Sequence, residues 1–309
     1  MKVSEISSVA LSDRLKGPGI QMITGPFLFH LRTEIEAVRN GIGVLYRDFL
    51  LADSADFVDF HVVLKRHGKP FRCFRPQVAV EVDGGSPAAP LSLEQAFALF
   101  EGTLNWCIYT YAHQYFIIHA AAIERDGRAA ILPAPPGSGK STLCAALVHR
   151  GWRLLTDELT LVSVETNEIM PLPRPISLKN ESLKVIGEFA PQAVFGPASP
   201  NTIKGTIAHV RPPKESVERM GEPSRPAWVV FPRFRAGAST IVQTISKANT
   251  LMRVAESSVN YSILGIEGFH ILSRMIDIVD GYELEYSNLE EAVAWFDSLG
   301  SRQAFYESR

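Results

Sequence analysis

The pattern of apolar and polar residues predicts a strand-rich first part of the chain. Between residues 26 and 83, short runs rich in Phe, Val and Ile are broken by Gly, Asn and Pro, which is typical of β-strands. The predicted strands are FLFHLRT, IGVLY, FVDFHVVLKR and RCFRPQVAVEV. Apolar residues then recur at helical spacing from Ser92 to about His113, and Ser92 with Gln95 fits a capping box. We therefore predict a strand-rich α/β domain over residues 1–112.

A second pattern begins near residue 113. Two apolar strands, 116–124 and 128–133, flank the dipeptide Asp126-Gly127, which is a strong signal for a hairpin turn. Later elements are a helix at 140–150 that ends at a left-handed Gly151, strands at 153–156 and 159–164, and helices at 248–257 and 265–279. A last helix is capped by Ser287 and runs to about residue 299. Residues 113–309 are predicted to form a second α/β domain.

Composition and charge narrow the class of protein. The chain has 309 residues, 46% of them hydrophobic, with 31 basic and 33 acidic side chains and a net charge of −2. Such a chain offers no global attraction to nucleic acid. Its apolar stretches fall short of the roughly 20 residues that a membrane span needs, and no signal-peptide pattern opens it. The three cysteines lack metal-ligand spacing, so we expect reduced thiols. Together these features predict a cytoplasmic protein that binds neither membrane nor nucleic acid.

The segment 134–142, APPGSGKST, has the residue types of a phosphate-binding loop. Glycines let backbone N–H groups turn into one concavity, the lysine reaches the β- and γ-phosphates, and the next hydroxyl binds Mg²⁺. A strand precedes the segment and a helix follows it, which favours nucleotide binding over a plain turn. Ala134 replaces the first glycine of the full pattern. The predicted nucleotide-binding residues are Pro136, Gly137, Ser138, Gly139, Lys140, Ser141 and Thr142.

Two adjacent acids, Asp157 and Glu158, follow the next predicted strand, 17 and 18 residues after Lys140. Strand ends gather beside the phosphate loop in an α/β sheet, so these carboxylates are expected near the γ-phosphate and its metal. One acid could hold Mg²⁺ while the other accepts a proton from an attacking hydroxyl, although a solvated acidic turn is the alternative. His119 lies in an apolar strand, and its spacing alone indicates a core histidine.

The order of Ile118-His119, hairpin, GSGKST, helix and acid pair resembles the catalytic domain of bacterial HPr kinase/phosphorylase. The resemblance covers residues 116–165 well and 245–265 faintly. It implies a kinase domain with a mixed sheet flanked by helices, dependence on ATP and Mg²⁺, and a homo-oligomer. The roles it implies are phosphate binding by Lys140, magnesium binding by Ser141 and Asp157, proton acceptance by Glu158, and an active-site histidine at His119.

A further cation would help a transferring phosphoryl group, and Arg174 is the first basic residue after the acid pair that could supply it. We therefore predict an ATP-dependent kinase that phosphorylates a hydroxyl, with a serine of a protein or peptide slightly favoured by the resemblance. A small-molecule kinase remains open, as does a non-catalytic nucleotide-sensing module or slow ATPase. Ala120 and Thr142 stand where the family has glycine and glutamate, so the acceptor is not assigned to HPr itself.

Overall fold

Helices are separated along much of the chain by runs of two to four strands. The computed structural model describes residues 1–53, 57–68 and 76–304. The α-helices are α1 (Ser8–Lys16), α2 (Glu36–Leu45), α3 (Ala96–Tyr111), α4 (Lys140–Val148), α5 (Glu181–Phe189), α6 (Lys214–Glu218), α7 (Lys247–Ser257), α8 (Tyr261–Leu264), α9 (Ile266–Ile278) and α10 (Leu289–Ala304). The strands are β1 (Ile20–Thr24), β2 (Phe27–Thr33), β3 (Leu51–Ala52), β4 (Phe60–His67), β5 (Gln77–Val82), β6 (Leu91–Ser92), β7 (Tyr115–Ile118), β8 (Ala120–Arg125), β9 (Arg128–Pro133), β10 (Arg153–Thr156), β11 (Thr160–Ser163), β12 (Ile169–Met170), β13 (Ile176–Lys179), β14 (Ser199–Thr202), β15 (Gly205–Val210), β16 (Arg225–Phe234), β17 (Ile241–Ile245) and β18 (Asp280–Tyr286).

The chain divides into two compact units. The first comprises Met1–Ala112 and Arg174–Arg219, and the second comprises His113–Pro173 and Met220–Arg309. Residues 174–219 thus belong to the first unit, although the sequence pattern predicts them within a domain spanning 113–309.

Contacts inside the first unit account for the placement of 174–219. Strands β13, β15 and β14 form a small antiparallel sheet. The Gln95 side-chain nitrogen donates to the carbonyl oxygen of Asn201 at 2.5 Å, and Ser199 Oγ accepts from the backbone N–H of Ala98 at 3.3 Å. These contacts join residues about a hundred positions apart, so no local sequence pattern could indicate them.

The first unit is built on a six-stranded sheet in the order β3-β1-β2-β4-β5-β6. Strands β2 and β4 are parallel, and the other neighbours are antiparallel. Helix α3 packs on this sheet and on α2, with Phe97 and Phe100 fully buried. Large aromatic side chains therefore supply much of this core.

Helix α2 corrects one predicted strand, because residues 42–45 of the run IGVLY lie in this helix and Tyr46 is its C-cap. Val38, Ile42 and Leu45 are buried along one face of the helix. Their spacing of four and three residues is helical, so burial of this face outweighed the β-propensity of the short apolar run.

The second unit contains a six-stranded mixed sheet in the order β10-β8-β9-β16-β18-β17. Strands β9, β16 and β18 are parallel to one another, whereas β8 is antiparallel to both β9 and β10. A smaller sheet joins β12, β11 and β7. Helices α7 and α9 pack on a shared core with the sheet, and α4 packs on β8 and α10. Mixed sheets flanked by helices confirm the predicted α/β class.

Strand direction in this sheet brings several chain segments to one edge. The hairpin turn has positive φ at Asp126 (54°) and Gly127 (76°), as the dipeptide predicts. Because β8 runs opposite to β9 and β10, its first residue lies at the edge where those two strands end. Strands β16 and β18 also end at this edge, because they are parallel to β9.

Three local predictions need correction. The strand predicted at 116–124 is interrupted at His119, where the chain passes from β7 in the small sheet to β8 in the large one. The Ser92 side chain makes no capping hydrogen bond, and a short 3₁₀ turn precedes α3. The cap of α10 is Asn288, whose Oδ1 accepts from the backbone N–H groups of Glu290 and Glu291.

Two further expectations concern the cysteines and the membrane. Cys107 and Cys144 are free thiols and are buried, whereas Cys73 lies outside the described residues. In the part of the chain that the structure describes, no helix combines the length and the apolar character that a membrane span requires.

Arg174 lies in the first unit and forms a buried ion pair there. Its Nη2 atom donates to Glu101 Oε2 at 2.7 Å and to the Glu101 carbonyl oxygen at 2.9 Å, and its Nη1 atom donates to Asn105 Oδ1 at 3.0 Å. The Tyr46 hydroxyl donates to the other Glu101 oxygen at 2.7 Å. Burial raises the pKa of Tyr46, so its hydroxyl stays a donor. The guanidinium is thus part of the core of this unit.

Replacing Arg174 should destabilise the protein, because Glu101 would keep a buried charge without its main partner. We expect Arg174→Ala to lower the free energy of unfolding by about 3–5 kcal/mol. The control Lys184→Ala removes an exposed i,i+4 pair with Glu188 and should cost less than about 0.5 kcal/mol. Chemical denaturation measures both, and equal losses in the two variants would contradict a structural role for Arg174.

Candidate active site

The glycine-rich loop, residues 134–142, joins the end of β9 to the start of α4. Gly137 has φ +87° and Gly139 has φ +85°, both in the left-handed region. Glycine adopts this region without the steric penalty that a Cβ incurs. The two glycines of the motif therefore match a backbone that needs them.

The two glycines differ in their surroundings. A Cβ built on Gly139 would lie 2.5 Å from Tyr286 Oη and 2.9 Å from Phe234 Cβ, whereas a Cβ on Gly137 would meet no atom of the described residues within 4 Å. The loop is therefore packed against the ends of β16 and β18 at Gly139 and is open at Gly137.

Lys140 is the first residue of α4, and its side chain connects the loop to the acid pair. It is 8% exposed, and its Nζ atom donates to the carbonyl oxygen of Asp157 at 3.0 Å. A lysine ammonium has three donors, so this bond leaves two that can face an anion. The structure thus brings Lys140 and the end of β10 into direct contact.

The two acids have different environments. Asp157 is 3% exposed, whereas the Glu158 side chain is 27% exposed. Burial raises the pKa of the Cys144 thiol in α4, with the Asp157 carboxylate raising it further and Lys140 opposing the shift. The Asp157 carboxylate therefore lies within electrostatic range of α4, and Glu158 is the more accessible of the pair.

His119 faces Glu158 at the same edge. Its Nε2 atom lies 3.9 Å from Glu158 Oε2, and its side chain is 47% exposed. The backbone N–H of His119 donates to the Ser257 carbonyl oxygen at 2.8 Å, which holds the chain where it changes sheets. An exposed side chain beside an acid contradicts the expectation of a core histidine.

The residues of this edge fit a magnesium-bound nucleoside triphosphate. Among the described residues, Ser138 Oγ is buried without a hydrogen-bond partner, so a donor or acceptor is available inside the loop. Helix α4 begins at the loop, and helix N-termini favour anions. In the described residues, no group of three or more His, Cys, Asp or Glu could hold a metal by itself. Mg²⁺ needs no such cluster, because it binds through one or two protein oxygens and the substrate phosphates.

Three of the remaining predicted site residues lie in the loop or in α4, and the fourth lies in the first unit. Pro136 is exposed on the loop, and Ser141 and Thr142 are half-buried in the first turn of α4. Arg174 is not part of this edge as the second unit builds it, because its guanidinium is held by Glu101 in the first unit. The prediction that Arg174 supplies a catalytic cation therefore finds no support.

Tyr286 and Phe234 contact the loop but carry no sequence signal that links them to it. Tyr286 Oη donates to the Gly139 carbonyl oxygen at 3.1 Å, and the Phe234 N–H donates to the Ser138 carbonyl oxygen at 2.9 Å. Phe234 ends β16 and Tyr286 ends β18, and the sequence patterns predicted neither strand nor its neighbours.

A comparison with solved structures finds the HPr(Ser) kinase/phosphatase from Coxiella burnetii. The match covers 62% of this chain and 99% of that chain, with 11% sequence identity and a TM-score of 0.28. No protein-family model and no curated protein matches the chain. The structural match is too distant to indicate an activity, so the function has to be inferred from the geometry of the site.

The contrast between the two glycines gives a direct test of this loop. Gly137→Ala introduces only left-handed strain and should cost about 1–2 kcal/mol of unfolding free energy. Gly139→Ala adds overlap with Tyr286 and Phe234 and should cost about 1–3 kcal/mol more. Denaturant titration of the two variants makes the comparison. Equal stabilities would show that the strand ends do not pack against the loop as described.

Proposed function

We propose that the second unit binds ATP with Mg²⁺ and transfers the γ-phosphoryl group to a hydroxyl. The observation that carries the proposal is the 3.0 Å contact between Lys140 Nζ and the Asp157 carbonyl oxygen. It joins a glycine-rich loop to two carboxylates, and phosphoryl transfer requires both a phosphate cradle and groups that position the metal and the nucleophile.

The role proposed for each residue follows from its burial and its position. Bound Mg·ATP supplies the phosphoryl group and part of the charge neutralisation. Ser141 and Asp157 would hold the metal, because a hydroxyl beside the lysine and a buried carboxylate are suitable oxygen ligands. Lys140 would offset negative charge that develops on the phosphate oxygens.

Glu158 is the better candidate for the proton acceptor. It is more exposed than Asp157, so an acceptor hydroxyl can reach it. His119, 3.9 Å away and half-exposed, could receive the proton from Glu158 and release it to solvent. The acid pair thus separates metal binding from proton removal.

The acceptor class rests on the resemblance of residues 116–165 to HPr kinase/phosphorylase, which favours a serine of a protein or peptide. Two carboxylates beside the lysine favour transfer over nucleotide sensing, since a switch needs only a group that orients water. A metabolite with a free hydroxyl is the second kind of acceptor to be tried in the same assay.

Variants of Lys140 and Glu158 should separate binding from chemistry. We expect Lys140→Ala to reduce phosphoryl transfer and ATP affinity together, with transfer at least about 100-fold lower. Glu158→Gln should keep ATP affinity within about 3-fold while lowering kcat by about 10²- to 10⁴-fold. The assay supplies labelled ATP with a protein extract and, separately, with a metabolite extract, and identifies labelled products by mass spectrometry.

Lys184→Ala and Glu165→Gln are matched controls, because both change exposed residues and should leave transfer unchanged. Parental kcat in Glu158→Gln would refute its role as the proton acceptor. Release of free phosphate without a labelled product from either extract would identify an ATPase or nucleotide switch instead of a kinase.

A further inference from the structure

Tyr286 is buried at the end of β18, directly against the glycine-rich loop. Its Oη atom donates to the Gly139 carbonyl oxygen at 3.1 Å, and its ring packs edge-to-face on Phe234 with centroids 5.8 Å apart. Phe234 ends the neighbouring strand β16 and donates its N–H to the Ser138 carbonyl oxygen at 2.9 Å. Two adjacent strand ends therefore hold two successive carbonyl groups of the loop.

Holding these carbonyl groups also fixes the direction of the following N–H groups. In a planar trans peptide the C=O of one residue and the N–H of the next point in opposite directions. The Ser138 carbonyl points towards Phe234, so the Gly139 N–H points away from the strand ends. The Gly139 carbonyl oxygen accepts from Tyr286 Oη and from the Leu143 N–H of α4, so the Lys140 N–H points away from both donors. Successive N–H groups turned to one side form an anion-binding concavity.

We infer that Tyr286 is a positioning residue, which holds the glycine-rich loop in its anion-binding shape before any ligand arrives. This goes beyond the proposed kinase function, which requires the loop but not a group that holds it. Only the expected effect on ATP affinity rests on that proposed function. The holding itself is a property of the unliganded protein.

Tyr286→Phe isolates the hydroxyl from the rest of the side chain. The ring and its contact with Phe234 are retained, and the Gly139 carbonyl oxygen still accepts from the Leu143 N–H at 2.9 Å. No buried carbonyl is left without a donor, so global stability should change little. Burial also raises the pKa of Tyr286, so the hydroxyl remains a donor well into the alkaline range.

The experiment compares the parent, Tyr286→Phe and the control Tyr261→Phe. Tyr261 lies in α8 of the same unit and packs by its ring on Phe116. Hydrogen exchange of peptides spanning 134–142 is measured without ligand, and affinity for Mg-bound inorganic tripolyphosphate and Mg·ATP is measured by calorimetry. We expect Tyr286→Phe to speed loop exchange and to weaken both affinities by about 3- to 10-fold, with an unchanged melting temperature. The control should match the parent.

Parental exchange rates in Tyr286→Phe would overturn the inference. Faster exchange with parental affinity for tripolyphosphate would overturn the link between loop shape and anion binding. A parent that binds neither tripolyphosphate nor ATP would refute the proposed function, while the exchange measurement would still decide whether Tyr286 holds the loop.

Discussion

The hydrogen bond from Lys140 Nζ to the Asp157 carbonyl oxygen is the interaction on which the candidate site depends. Lys140 opens α4, which the glycine-rich loop joins to β9, whereas Asp157 directly follows β10, and β8 lies between β9 and β10 in the sheet. Because the acceptor is a backbone oxygen at a strand end, the bond places the ammonium without using the oxygens of the Asp157 carboxylate.

The antiparallel strand β8 also brings His119 to the start of the glycine-rich loop. Its first residue, Ala120, pairs with Pro133 at the end of β9, so His119 and the start of the glycine-rich loop are neighbours across the hairpin. A register shift of one residue would turn the side chains of β8 to the opposite face. The Asp126-Gly127 turn that sets this register lies at the far end of the hairpin, so the geometry of the site is partly fixed by a turn remote from it.

Short-range patterns predicted the parts of this protein that local chemistry determines. The glycines of the loop, the turn at Asp126-Gly127 and the strand 153–156 follow from residues that lie together in sequence. Arg174 and Tyr286 were not predictable in this way, because each acts through a partner far away: Glu101 is 73 positions from Arg174, and Gly139 is 147 from Tyr286. A basic residue after an acid pair has the same local pattern whether it faces a phosphate or a buried carboxylate.

The packing of the loop by the described residues is asymmetric, and this asymmetry suits the function proposed for it. The strand ends occupy the space around Gly139, while the space around Gly137 is open. A loop held only by its ligand would lose binding free energy to its own ordering. Here the contacts of Phe234 and Tyr286 exist in the unliganded protein, so the cost of ordering is met during folding. Under the proposed function, a charged ligand would fill the space beside Gly137, where no described atom lies within 4 Å of the built Cβ.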